Sequence, residues 1–244
     1  MDSNKIDVFY SAHAFQAEDL RDKTAIVVDV LRATSSIVTA IHNGAKGVVA
    51  VEDMGDASKI AQHLDSSGYL LCGEKDGVKI EGYQLGNSPL EYTRSKVEGK
   101  TLILNTTNGT RAITRASLAN NILIASFLNL KYVEQAIKDT EEDIVIVCAG
   151  WRGRLSLEDM LCAGKLVYDL TNGTLKEHPS DGARAALSLF EKYGDDITST
   201  VKQTNHAVRL KEIVDEDDVT YCCQLNTCAV MPVMKDGIIK ELNG

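Results

Sequence analysis

The 244-residue sequence carries no Walker phosphate loop, no dinucleotide glycine fingerprint, no nucleophile-elbow serine and no His-Glu-x-x-His pair. The nucleotide-binding and hydrolase classes that those patterns mark are set aside. Aromatic residues make up only 5% of the chain, which leaves no obvious interface anchor; a homodimer is simply the default among oligomers. There is no basic excess. The formal net charge is −9, and a nucleic-acid backbone needs a basic face, so no nucleic-acid partner is expected. No apolar run approaches the roughly 18 residues of a membrane helix, and Met1-Asp2-Ser3-Asn4-Lys5 has no apolar targeting core. Membrane association is not expected, and the cytoplasm is the default location. Cys72, Cys148, Cys162, Cys222, Cys223 and Cys228 lack the two paired, spaced elements of a structural zinc site and read as reduced core thiols.

What is present is an ordinary globular balance, 44% apolar and 25% charged, in a chain long enough to bury a sizeable core. Its organising stretch is Ala25-Ile26-Val27-Val28-Asp29-Val30, followed by Leu31-Arg32-Ala33 and then Thr34-Ser35-Ser36-Ile37-Val38-Thr39-Ala40-Ile41. The first run is β-branched and reads as a buried strand; the last has helical apolar spacing, with Asn43-Gly44 as its stop. An acid, an arginine and hydroxyls thus lie between a strand's carboxyl end and a helix's amino end. Open α/β sheets hold ligands there, and exposed helix amides there favour anions.

Further strands are expected at 5–10, 47–51, 69–72, 101–105, 121–126 and 143–148, with helices over 57–64, 130–138, 157–170 and from 180 and 205 onward. The tail has strand-like runs at 219–223 and 228–234, and Lys235-Asp236-Gly237 is a hairpin turn. The fold class is α/β, with layered helices around a largely parallel or mixed sheet and an antiparallel C-terminal part. Residues 1–170 form the main sheet region with anion-binding loops, and 171–244 complete the same fold. Parallel strands would place all strand-to-helix loops on one edge of the sheet.

The candidate chemistry falls in those loops. Asp29, almost at the end of a buried strand, is costly unless paired or bound to a cation. Arg32 offers a rigid fork to phosphate or sulfonate oxygens. Thr34 and Ser35 can cap their helix and still leave amides facing a ligand. Glu74, between a short strand and a glycine-bearing loop, suits a place beside a metal or an activated water. Ser88-Pro89-Leu90-Glu91 reads as a capped helix start. Asn105, Asn108, Gly109, Thr110 and Arg111 form a second anion cradle, and Arg152 and Arg154 add guanidinium groups to the same edge. Glu158 and Asp159, in the first turn of a helix capped by Ser156, are further metal-ligand candidates. The histidines, His13 and His206 among them, have no ligand spacing and read as surface residues.

Five segments taken together resemble the 2-phosphosulfolactate phosphatase family: Ala25 to Ile37, Gly73-Glu74, Gly86 to Glu91, Asn105 to Ala112, and Cys148-Ala149-Gly150. The resemblance continues through Glu158-Asp159, Asn205-His206-Ala207 and Val230 to Val233. It implies a magnesium-dependent phosphatase that releases phosphate from (R)-2-phospho-3-sulfolactate, giving sulfolactate on a route to coenzyme M. It also implies that Asp29, Arg32, Glu74, Asn108, Thr110 and Arg111 lie in or near the pocket. On that basis Asp29, with Glu74 or an acid from Glu158-Asp159, would position magnesium for attack by water. Arg32 and Arg111, with Thr34, Ser35, Gly109 and Thr110, would clamp the phosphoryl or sulfonate oxygens, and Arg152 and Arg154 would recognise the acid end. A phosphotransferase or isomerase acting on a related anionic metabolite, or a small-anion sensor without turnover, is the alternative.

Overall fold

The computed structural model describes residues 5–63, 65–175, 179–214 and 216–242. Residues 1–4, Leu64 (the expected end of a helix) and the last two residues of the second region lie outside the described residues. In chain order the first half contains β1 (Ile6–Phe9), β2 (Thr24–Val28), α1 (Ala33–His42), β3 (Gly47–Val51), α2 (Met54–Ala61), β4 (Tyr69–Lys75) and β5 (Val78–Lys79). Then come α3 (Arg94–Val97), β6 (Thr101–Asn105), α4 (Gly109–Arg115), β7 (Asn121–Ala125), α5 (Leu130–Ile137) and β8 (Ile144–Cys148). The remainder is α6 (Leu157–Thr171), α7 (Asp181–Tyr193), α8 (Ile197–Lys202), α9 (Asn205–Leu210), α10 (Glu216–Cys222), β9 (Pro232–Lys235) and β10 (Ile238–Glu241).

The strands form one mixed sheet in the order β1-β8-β2-β7-β9-β10-β3-β6-β4-β5. β1, β8, β2 and β7 are mutually parallel, and so are β3, β6 and β4. The β9–β10 hairpin sits between the two runs, antiparallel to β7 on one side and to β3 on the other. Three successive reversals therefore make the second parallel run point opposite to the first. In a flat sheet the carboxyl ends of β2 and β6 would lie on opposite edges, so the single shared edge expected from the sequence is not what forms.

Twist brings the two ends together. Neighbouring strands rotate by about 20–25°, so the five steps from β2 to β6 accumulate roughly 100–125°. The sheet curls around α1 and α4, and one apolar cluster joins Ala25 and Val27 of β2, Val48 of β3, Leu102 and Leu104 of β6, Ile37 and Val38 of α1, and Ala112 and Ile113 of α4. This enclosure explains why every residue from Ala33 to Ile41 is buried, where a surface helix would keep one polar face. On the outer face of the first run, Ile26, Val28, Ile144 and Ile146 pack against Leu161 and Leu166 of α6 and Ala183 and Leu187 of α7. Behind the second run, Val51 and Ile103 cover Ala57 of α2. Each fully buried aliphatic side chain contributes about 1.5–3 kcal/mol, so these three layers supply the main driving force.

Several local expectations give way to tertiary packing. The run at Val219–Cys223 is helical as far as Cys222, within α10: Glu216, Asp217 and Asp218 occupy its first turn, and Val219 and Cys222, three residues apart, share the core face. α2 is capped by Asp53, which accepts the Asp56 amide at 2.9 Å, rather than by Asp56. Ser88 does not cap a regular helix: Pro89–Glu91 is one 3-10 turn, and the Ser88 hydroxyl donates to Asp218 at 2.6 Å. The 228–234 run is a strand only from Pro232. All six cysteines are buried and unbridged, as expected of reduced thiols. Among the described residues, no helix is long and apolar enough to cross a membrane.

β4 reaches the site because it passes β6 unusually closely at Gly73, paired with Asn105. Gly73 has φ +145°, and a Cβ there would stand 1.9 Å from the Asn105 carbonyl oxygen. Gly73→Ala should therefore lower stability by at least about 2 kcal/mol, read as a lower urea midpoint at unchanged m-value. An unaltered midpoint would contradict this close approach.

Candidate active site

Asp29 directly follows β2 and is 7% exposed. Its Oδ1 accepts the Ala33 amide at 3.3 Å, and its backbone is locked by Thr34, whose hydroxyl donates to the Asp29 carbonyl at 2.8 Å and accepts the Asp29 amide at 2.9 Å. Ser35 likewise donates to the Val30 carbonyl at 2.9 Å. Thr34 and Ser35, expected at the ligand, are fully buried braces of the β2–α1 turn and are not among the residues lining its cavity.

The turn after β6 meets Asp29 from the other parallel run. A Cβ on Gly109 would lie 2.3 Å from the Ala33 Cβ and 2.7 Å from Asp29 Oδ2, so only glycine permits the contact. Of the expected cradle, Asn108 and Arg111 line the cavity beside Asp29. Asn105 and Thr110 turn inward instead, donating to the carbonyls of Val51 at 3.0 Å and Thr106 at 2.7 Å. Glu74, 7% exposed, accepts the Thr107 amide at 2.7 Å, the Thr107 hydroxyl at 3.1 Å and the Gly77 amide at 2.6 Å. One carboxylate thus ties the β4–β5 turn to the start of α4.

The third wall comes from the loop after β8 and from α9. Trp151, Arg152, His206 and Arg209 line the same cavity, whereas Arg154 is exposed and does not. The His206 and Trp151 rings stack with centroids 5.2 Å apart and planes 17° from parallel. His206 Nδ1 lies 2.8 Å from Glu158 Oε1. His206 is therefore not a surface residue: its side chain is 14% exposed, and that of Glu158 is 1% exposed. Arg32 is buried, ion-paired with Asp218 of α10, and donates to the Gly77 carbonyl at 3.2 Å. Its charge is thus largely neutralised within the protein, and the exposed guanidinium groups of Arg111 and Arg152 carry positive charge at the rim.

These walls enclose about 360 Å³, lined by Asp29, Arg32, Glu74, Asn108, Arg111, Trp151, Arg152 and His206 among others. A second hollow of about 250 Å³, lined also by Glu52, Asp53, Lys75 and Thr110, adjoins it across Glu74, Thr107 and Arg111. Sequence reasoning missed Thr107, Asp218, Arg209 and the inward placement of His206. The last three lie on helices whose position only tertiary packing decides, and no spacing signal marked them.

Negative charge is crowded at the floor. Burial pushes the Asp29 carboxyl up to about 6; the nearby His206 charge and the Ala33 amide oppose this, and the Glu74 and Glu158 charges add to it. Asp159 is also raised well above the usual carboxylate range, first by burial and then by the charges of Asp29 and Glu158. Burial also acts to raise Glu158, but its bond to His206 and the His206 charge outweigh that and hold it below the usual range.

The donor set decides what could hold a cation. Among the described residues, no group of three or more His, Cys, Asp or Glu forms a cage. Magnesium needs only one or two carboxylates, keeping water and phosphate oxygens as its other ligands. Asp29 and Glu74 fit that pattern: they are hard oxygen donors on one cavity, and their repulsion would be relieved by a cation. Asp159 and Glu158 fit poorly. Neither lines the cavity, whereas Asp29 and Glu74 do; Asp159 accepts the amides of Val30 at 2.8 Å and Gly150 at 3.1 Å, stitching the β2 and β8 loops together, and Glu158 gives Oε1 to His206.

Fold and site together define an α/β enzyme with a small, charged cavity where two sets of strand ends meet. The chain belongs to the 2-phosphosulpholactate phosphatase family, which matches residues 9–237. The family is one of phosphoric monoester hydrolases. The chain is similar to proteins named probable 2-phosphosulfolactate phosphatase from three bacteria. It is 45% identical to that of Thermotoga petrophila over 90% of this chain and 93% of the relative. For the Clostridium kluyveri protein the values are 40%, 97% and 97%, and for that of Caldanaerobacter subterraneus 35%, 96% and 97%.

Because the Asp29 carboxyl is raised from 3.8 to about 6 on folding, the native state binds the extra proton between those values. Stability should therefore fall as pH rises through that window and stay lowered above it. Asp29→Asn retains an oxygen for the Ala33 amide and removes the charge. In chelator at pH 7.5 this variant should be more stable than wild type by about 1–3 kcal/mol, the gap shrinking toward pH 4.5, as read by urea unfolding at both values. A variant less stable at pH 7.5 would contradict the electrostatics described.

Proposed function

We propose that the protein hydrolyses (R)-2-phospho-3-sulfolactate to (R)-3-sulfolactate and inorganic phosphate with magnesium, in the cytoplasm, on a route to coenzyme M. One observation carries this reading: acids and arginines from β2–α1, β4–β5, β6–α4 and the loop after β8 share one small cavity. The names of the relatives supply the substrate, an ester with phosphate, carboxylate and sulfonate on three carbons. Six buried, unbridged thiols suit a reducing compartment.

Asp29 and Glu74 would hold magnesium, which when bound supplies positive charge against a phosphoryl oxygen. Arg111 and Asn108, projecting from the turn that Gly109 presses against Asp29, engage the phosphoryl group by charge-assisted hydrogen bonds. Arg32, fixed by Asp218, presents its planar group as a rigid wall, and Arg152, held over the Trp151 ring at 4.9 Å, faces the acid end. Water attacks phosphorus directly, since Val30 and Leu31 follow Asp29 where an aspartyl phosphatase carries a second aspartate two residues on.

Phosphate release from phosphosulfolactate, measured with magnesium and with chelator, tests the reading. Wild type should turn over only with the metal. Asp29→Asn should lose at least about 100-fold in kcat and its response to magnesium while staying folded. Arg111→Ala should chiefly raise KM, by about tenfold. Binding without release would instead mark a sensor, and release only with a second acceptor would mark a transferase.

A further inference from the structure

We propose that His206, oriented by Glu158 and stacked on Trp151, is the general acid that protonates the departing oxygen of the substrate; the inference rests on the hydrolase reading above. The departing group is the alkoxide of a secondary alcohol, a poor leaving group in neutral water, and protonating such a group in the transition state is worth about 100-fold or more. Few residues on the cavity can do this. Arg32, Arg111, Arg152 and Arg209 do not release protons at neutral pH. Asp29 and Glu74 are assigned to the cation, and Asp76, the third carboxylate on the cavity, is exposed on the β4–β5 turn with its charge in solvent. Two imidazoles line the cavity, His206 and His13.

Geometry separates the two. His206 Nδ1 is tied at 2.8 Å to Glu158 Oε1, in a carboxylate whose side chain is 1% exposed, so Nε2 is the nitrogen left for the substrate. The buried carboxylate holds the ring's orientation, the service an orienting carboxylate gives a catalytic histidine elsewhere. Trp151 fixes the ring plane, with centroids 5.2 Å apart. His13 is exposed, beside Gly153 at the rim, and among the described residues no carboxylate hydrogen-bonds its ring. The charged groups around the His206 ring are Glu158 of α6, Asp29 beyond β2, Arg152 beside Trp151, and Arg209 on α9.

The step balances. Water adds to phosphorus as the bond from phosphorus to the ester oxygen breaks; that bond's electron pair stays on the oxygen, which takes the proton from Nε2. The proton lost by the attacking water leaves with the phosphate and passes to solvent, and solvent reprotonates the ring. One water is consumed, and an alcohol and inorganic phosphate are formed.

A leaving-group comparison tests this directly. p-Nitrophenolate departs without protonation, so His206→Gln should lose about 100-fold in kcat on phosphosulfolactate and less than tenfold on p-nitrophenyl phosphate. Glu158→Gln, which affects a positioning residue, should show the same split at about tenfold. The ratio of the two rates in one preparation is independent of the folded fraction, and His206→Asn serves as a second variant. The ¹⁸O isotope effect at the bridging oxygen of phosphosulfolactate should rise in His206→Gln, because the alkoxide then leaves unprotonated. An equal loss on both esters with an unchanged isotope effect, or the split appearing in His13→Gln instead, overturns the proposal while leaving the hydrolase reading intact. If wild type releases phosphate from neither ester, the hydrolase reading falls, and the assignment of His206 with it.

Discussion

The first turns of α1 and α4 approach until a Cβ at Gly109 would stand 2.3 Å from that of Ala33, and the rest of the site depends on this approach. The two helices follow strands that run in opposite directions, because the β9–β10 hairpin separates the two parallel runs. In a simple parallel sheet, a shared edge gathers the loops without help. Here the gathering is achieved by accumulated twist around two buried helices, and a missing side chain at the seam closes the last gap. Glu74 then fastens the β4–β5 turn to the start of α4, and Asp159 fastens the β2 loop to the β8 loop.

The charge layout follows from that assembly. A protein of net charge −9 is an unpromising host for a densely anionic ester. Asp29, Glu74, Glu158 and Asp159 are nevertheless buried, while Arg111 and Arg152, with Asp76, stand exposed around the cavity. A ligand approaching from solvent therefore meets two guanidinium groups and one carboxylate before it reaches the buried acids. Arg32, the arginine nearest the organising aspartate in sequence, is compensated by Asp218 and serves chiefly to fix the wall. Asp29 is raised first by its burial and then by the charges of Glu74 and Glu158, and folding tolerates that cost because the surrounding cores are large.

Much of the fold was legible in the sequence because the parallel strands are buried on both faces and read as unbroken aliphatic runs, as in Ala25–Val28 and Ile144–Cys148. Two acids and half of the second cradle were legible for a related reason, since Asp29, Glu74, Asn108 and Arg111, which line the cavity, sit just beyond such runs. The hairpin itself was legible from Lys235-Asp236-Gly237, but its insertion between β7 and β3, antiparallel to both, was not, because no local pattern encodes where it inserts. α10 was misread because Val219, Thr220 and Tyr221 favour a strand, while burial of Val219 and Cys222 and the Asp218–Arg32 pair favour a helix. The inward placement of His206 and the pairing of Asp218 were missed for the same reason. The partners that give them meaning, Glu158 and Arg32, are 48 and 186 residues away in the chain.

The position of the hairpin also sets an order of events during synthesis. β9 and β10 follow every other strand in the chain, yet they stand at the middle of the sheet. Until the ribosome has passed residue 241, the two parallel runs have no strand between them, and the flanks of β7 and β3 stay open to unintended pairing. The nascent chain thus carries two half-sheets, each with an unsatisfied border, until the hairpin that joins them emerges.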